Sequence, residues 1–132
     1  SATGFNLKRL NMILAVLEKK CDFKLSTQDV FLNIAGGISV SDPSMDLAVI
    51  ASLLSSHKEI PIGPTICFAG EVGLNGEIRP ISRIDHHIQE AERIGFKTIV
   101  ISSYNKRNTQ KFKIKIIECS KVMELYNFLS KL

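Results

Sequence analysis

Apolar residues recur at three- to four-residue spacing through residues 6–20, where Leu7, Leu10, Leu14 and Leu17 are separated by Lys8, Arg9, Glu18 and Lys19. That period predicts an amphipathic helix. The segment DVFLNIAGGISV then alternates at Val30, Leu32 and Ile34 before Gly36-Gly37, the pattern of a strand that meets a bend or bulge. Asp42-Pro43 supplies an N-cap and a first-turn proline for a second helix. Its inward stripe is Leu47, Ile50, Ala51 and Leu54, and its end is expected near Ser55-Ser56. After the loop HKEIPIGP, the runs TICFAGEVGL and EIRPI flank Asn75-Gly76. This predicts a hairpin closed by a two-residue turn with φ > 0 at both central positions. Ser82 opens a third helix with the stripe Ile84, Ile88, Ala91 and Ile94, and Gly95 closes it. KTIVIS and KIKII read as strands, and Ser120 begins a last helix carrying Val122, Leu125, Phe128 and Leu129. The order of elements predicts a mixed α/β (α+β) fold, with a mixed sheet, a β-hairpin and about four helices.

Length makes this one unit. A chain of 132 residues with 45% hydrophobic content suffices for one compact core and is too short for two ordinary domains, so residues 1–132 are expected to form a single domain. The apolar runs fall short of the roughly 18–20 residues that span a bilayer, and no basic segment precedes an apolar one at the amino end. A soluble, cytoplasmic protein without a membrane partner is the expectation. Cys21, Cys67 and Cys119 are odd in number and form no CxxC pair, which argues for buried thiols and against a disulfide framework or a zinc site. The chain begins SATGF, without an initiator methionine, and is expected to be a fragment of something longer.

Charge and motifs narrow the chemistry. No GxxxxGK[ST] loop and no strand-linked GxGxxG occurs, so the segment has neither familiar nucleotide-binding signature. His57, His86 and His87 lack HExxH spacing, and adjacent histidines do not share one helical face, so no metal site is expected. Ser44 falls in the first turn of the second helix, where unpaired N–H groups and the helix dipole favour a developing oxyanion. A nucleophile needs a base beside it, however, and serines at helix starts are commonly structural, so both readings of Ser44 stay open here. The net charge of +4, from 17 basic and 13 acidic residues, is compatible with nucleic acid. Arg79 and Arg83 flank the junction between hairpin and helix, and Lys106, Arg107, Lys111, Lys113 and Lys115 follow in the polar run and the next strand. Lys111, Lys113 and Lys115 recur at period two and would project from one face of a strand. Tyr104 and Phe112 are the aromatics near them, so backbone charge, not base readout, is the expected mode of DNA contact. A small-molecule cleft lined by Glu71 and Glu77 is the competing use of the hairpin.

The blocks DPSMDLAVIASLLSS, GEVGLNGEIRPISRI and EAERIGFKTIVI, in that order, resemble the proteolytic domain of the Lon protease superfamily over nearly the whole chain. ATGFNLKRLNMILAVLEKK, QDVFLNIAGGISV and the hairpin block resemble more closely the C-terminal Lon-like domain of the RadA (Sms) family of bacterial recombination and repair proteins. The resemblance implies a Lon-like fold. It also implies a longer protein with a zinc ribbon and a RecA-like ATPase, using ATP, Mg and Zn outside this segment, six-membered ring assembly, and DNA binding during branch migration. Ser44 matches the Lon nucleophile, but the catalytic lysine position, counted through the shared hairpin, falls on Asp85, and Met45-Asp46 replace a small Ala-Gly pair. A Ser–Lys mechanism needs a desolvated neutral amine, and Arg83 stays protonated. The resemblance therefore implies a non-proteolytic scaffold, with Asp85 serving as a capping-box partner of Ser82. A Ser44-dependent peptidase with an unorthodox base, such as His86 or His87, is the alternative.

Overall fold

A computed structural model of the chain describes residues 7–22, 42–107 and 111–132. The strand expected at Val30–Ile34 and the Gly36-Gly37 bend lie outside the described residues. Helix α1 runs Leu7–Cys21 and buries Leu10, Ile13, Val16, Leu17 and Cys21. Its buried stripe is thus wider than the leucines alone indicated, and Leu14 packs at its margin. Asp42 adopts extended backbone (φ −105°, ψ 124°) and accepts the Ser44 N–H at 3.0 Å. This is the expected N-cap, but the first turn is a 3-10 turn, Pro43–Met45, before α2 runs Asp46–Lys58. The expected stripe Leu47, Ile50, Ala51 and Leu54 is buried, together with Val49 and Leu53. Helix α2 passes Ser55-Ser56 and stops where Glu59 turns left-handed (φ 55°).

The run expected as one long strand is two strands. β1 is Ile66–Ala69, β2 is Glu71–Val72, and Gly70 separates them. Gly70 donates to the Ser44 carbonyl and accepts the Leu47 N–H, both at 3.0 Å. A Cβ there would stand 3.2 Å from side-chain atoms of both Leu47 and Ile78. The start of α2 therefore packs closely on this backbone, and a side chain there would have to displace its neighbours. β2 pairs antiparallel with β3, Ile78–Arg79, in the register Glu71↔Arg79 and Val72↔Ile78. The hairpin is present, but its turn is not the two-residue type. Gly76 N–H bonds the Gly73 carbonyl at 3.0 Å, Gly73 N–H bonds the Glu77 carbonyl at 3.0 Å, and only Gly76 has positive φ (79°). This is a turn over Gly73–Gly76 followed by a left-handed glycine, the longer-loop solution to the same strand twist.

Helix α3 spans Ile84–Ile94. Its N-cap is Arg83 in the left-handed region (φ 58°) with no side-chain cap bond, one residue beyond the expected Ser82. Ile84, Ile88 and Ala91 are buried, but Ile94 is 63% exposed, because Gly95 ends the helix there (φ 113°) and the stripe has drifted off the core. β4, Thr98–Ser102, lies between β1 and β5, Lys115–Cys119, in a parallel sheet of order β1-β4-β5. Partners include Phe68↔Val100 and Val100↔Ile117. β5 begins at Lys115 rather than Lys113 because the Lys113 and Ile114 N–H groups bond the Glu92 carboxylate of α3 instead of a neighbouring strand. Lys111 and Lys113 thus precede the strand, and the expected three-lysine strand face reduces to Lys115. Helix α4, Val122–Ser130, starts after Ser120, whose N–H bonds Glu124 at 3.2 Å. Val122, Leu125 and Leu129 are buried.

Strand alternation divides the core in two. Val100 faces a large cluster with α1, α2 and α4. Ile99 and Ile101 face the opposite way, into a smaller cluster with Ile84, Ile88 and Ala91 of α3. The sheet is therefore covered by helices on both faces, as a parallel sheet requires. No helix among the described residues is long and apolar enough to cross a membrane.

Candidate nucleic-acid interface

The hairpin carboxylates belong to the framework. Glu77 accepts the Asn75 N–H at 3.1 Å and lies 3.6 Å from Arg79. Glu71 lies 3.5 Å from Arg9 of α1. The anchor of that second contact is Asp46, the first residue of α2, which is fully buried. Arg9 donates to it through Nε at 2.6 Å and also through Nη2. Val72 N–H donates to its second oxygen at 3.0 Å. Three donors on one carboxylate satisfy a charge that would otherwise be costly to bury, and they fasten α1, α2 and β2 at one point. The hydrogen bonds from Arg9 to Asp46 raise the Arg9 pKa above its ordinary value. In the sequence Asp46 stands out only as a departure from a small-residue pair. The available signal was an acid at the start of an otherwise apolar helix, with an arginine inside an amphipathic one.

Ser44 sits half-buried in the 3-10 turn, beside an acid. Hydrogen bonds from its backbone and side chain hold the Asp42 carboxyl below the usual range, with a smaller contribution from the charge of His87. A carboxylate stabilised in this way is a weaker base than an ordinary one and is poorly suited to take a hydroxyl proton. His86 is exposed and His87 half-buried, with ring centroids 6.4 Å apart in an edge-on arrangement. Among the described residues, no group of three His, Cys, Asp or Glu side chains could hold a metal ion. Burial pushes the Cys67 and Cys119 thiols up to about 11, so neither is poised as a nucleophile near neutral pH.

The basic residues fall into separate places. Arg79 is half exposed beside Glu77. Arg107 lies 3.4 Å from Glu118 of β5. Lys111, Lys113 and Lys115 are exposed. Arg83 and Lys106, by contrast, line one depression of about 420 Å³ together with Pro80, Ile81, Asp85 and Tyr104. The geometry follows from the sheet. Ser102 at the end of β4 is buried, donates to the Ile78 carbonyl at 2.7 Å and accepts the Tyr104 N–H at 3.1 Å. Asn105 Nδ2 donates to the Ile81 carbonyl at 2.9 Å. These bonds pin residues 104–106 against the segment that enters α3, so two cations distant in sequence become neighbours. Asp85 lines this same depression.

The family described as subunit ChlI of Mg-chelatase matches residues 6–105. The chain is 41% identical over 124 residues to a DNA repair protein RadA of Bacillus subtilis, covering 93% of this chain and 27% of that protein. It is 45% identical over 107 residues to DNA repair protein RadA of Listeria monocytogenes, covering 81% of this chain and 23% of that protein. It is 41% identical over 128 residues to DNA repair protein RadA of Helicobacter pylori, covering 97% and 28%. The chain thus spans about a quarter of the length of the curated relatives it matches.

Proposed function

The chain belongs to the family described as subunit ChlI of Mg-chelatase, and on that premise, with its likeness to DNA repair proteins, we propose that it is a non-proteolytic scaffold segment of a DNA repair protein. In this reading it contacts DNA through backbone charge and supports assembly into a six-membered ring. ATP hydrolysis with Mg, any zinc site and the work of branch migration belong to other parts of a longer cytoplasmic protein.

The observation that carries the DNA reading is the convergence of Arg83 and Lys106 on one exposed depression, away from the acidic partners that occupy Arg79 and Arg107. Cations on phosphates release counterions, so affinity falls steeply with salt. Repetition of the same surface around a ring would multiply a weak contact. The Asp42 carboxylate beside Ser44 supports the non-proteolytic half of the proposal. Duplex affinity measured between roughly 50 and 200 mM salt tests the reading. A steep decline that is the same for unrelated sequences is expected, and salt-independent binding, or no binding, rejects it. Peptide cleavage that disappears in Ser44→Ala would reject the scaffold assignment, and sedimentation showing only monomer at high concentration would reject the ring.

A further inference from the structure

Among the described residues, β5 is an outer strand of the sheet β1-β4-β5, and its bonds to β4 show which of its backbone groups are already used. Lys115 N–H donates to the Lys97 carbonyl at 3.0 Å, and the Cys119 carbonyl accepts the Ser103 N–H at 2.9 Å. Successive residues of a parallel strand turn their backbone groups alternately to one side and the other. Lys115, Ile117 and Cys119 therefore face β4, and Ile116 and Glu118 turn their N–H and C=O groups outward. Among the described residues nothing bonds those outward groups. The open stretch starts at Lys115, because the Glu92 carboxylate takes the Lys113 and Ile114 N–H groups just before it. Ile116 and Ile117 lie half-buried on opposite faces, at the margins of the two core clusters. They leave apolar surface on both sides of the edge for the side chains of a further strand.

Charge selects the partner. Lys111, Lys113 and Lys115 are exposed, and none has a carboxylate within ion-pair reach among the described residues. The acids beside the strand are engaged, Glu118 by Arg107 and Glu92 by the two N–H groups. A second copy of the same edge would bring lysines against lysines, which opposes self-pairing. We propose that the outer edge of β5 receives an extended acidic segment of a partner protein as an added strand. Main-chain bonds to Ile116 and Glu118 supply the affinity, and Lys113 and Lys115 favour Asp or Glu in the incoming segment. None of these residues lines the depression beside α3, so the docking edge is separate from DNA contact at Arg83 and Lys106.

The test uses three labelled peptides and fluorescence anisotropy: one alternating Glu with Val, one alternating Lys with Val, and the Glu peptide methylated at its backbone nitrogens. The Glu peptide is expected to bind and the Lys peptide not. Methylation keeps the charge but removes the donors, and is expected to weaken binding at least about fivefold, the worth of one hydrogen bond. Glu118→Pro removes one outward N–H and leaves the bonds to β4, a place where an edge strand tolerates proline. It is expected to weaken the Glu peptide by a similar factor with the urea midpoint little changed, while Glu118→Ala binds as the parent does. Equal binding of the methylated and unmethylated Glu peptides, or undiminished binding to a folded Glu118→Pro variant, would show attraction by charge alone and overturn the added strand. So would equal binding of the Glu and Lys peptides, or no binding of either. Self-association that Glu118→Pro abolishes would assign the edge to a second copy and equally overturn the proposal. If Glu118→Pro does not fold, the methylated peptide decides alone.

Discussion

The two faces of the parallel sheet are built to different specifications. On one, three of the described helices close over Val100, Leu54, Leu125 and their neighbours, and Asp46, the one buried charge among the described residues, has Arg9 and the Val72 N–H as partners. On the other, a single helix among the described residues covers a smaller cluster, and the groups around its entry include the left-handed Arg83, a buried Asn105 oxygen and exposed Tyr104. Completed polar networks hold a fold together. The difference places the stabilising network on the three-helix side, and the proposed reading puts DNA contact on the α3 side.

The most disruptive way to probe that division is Asp46→Ala. It leaves the Arg9 guanidinium, 18% exposed, without its main partner and frees the Val72 N–H. A loss of about 3–5 kcal/mol is expected in urea denaturation, as for other broken buried pairs. Truncations in the two clusters sharpen the contrast. Leu54→Ala, enclosed among three helices, is expected to cost about 4 kcal/mol, and Ile88→Ala, under a single helix, about 2 kcal/mol. Equal costs would mean that the two sides are equally well packed. Gly76→Ala is expected to cost about 1–2 kcal/mol, because Gly76 has φ 79° and a side chain there is strained. A Cβ would also approach Lys20 Cγ at 3.0 Å. Asp42→Asn is the gentlest change. The folded Asp42 carboxyl is held below its usual range by Ser44, so its contribution is present above the unfolded carboxylate pKa and is lost as pH falls through the folded one. Asparagine caps without ionising, so the variant's denaturation midpoint should decline less than the parent's between neutral and acid pH.

Local rules made much of this molecule legible. The period of Leu47, Ile50, Ala51 and Leu54, the Asp42-Pro43 helix start, Gly95 as a stop and the Asn75-Gly76 region as a hairpin all depend on neighbours in sequence. What escaped depended on neighbours in space. Gly70 divides a run that reads as one strand because α2 packs onto it. Arg83 caps α3 in place of Ser82. Glu92 captures Lys113 and Ile114 before they can join β5, which removed the lysine-striped strand expected there. Among the candidate DNA contacts, sequence selected Arg83 and Lys106 together with five other basic residues, but only the closure of β4 onto the hairpin by Ser102 and Asn105 brings those two to one place. Asp46 was invisible as an anchor because its partners lie 37 residues upstream and 26 downstream.

The central claim is that recognition can be removed without touching stability, and the double variant Arg83→Glu/Lys106→Glu tests it most directly. Duplex affinity and the urea midpoint are measured on the same preparation at low salt. The account predicts that affinity falls at least tenfold, with a smaller salt dependence, while the midpoint stays within about 0.5 kcal/mol of the parent, as for surface substitutions generally. Unchanged DNA affinity, or a loss of affinity that merely follows unfolding, would contradict it.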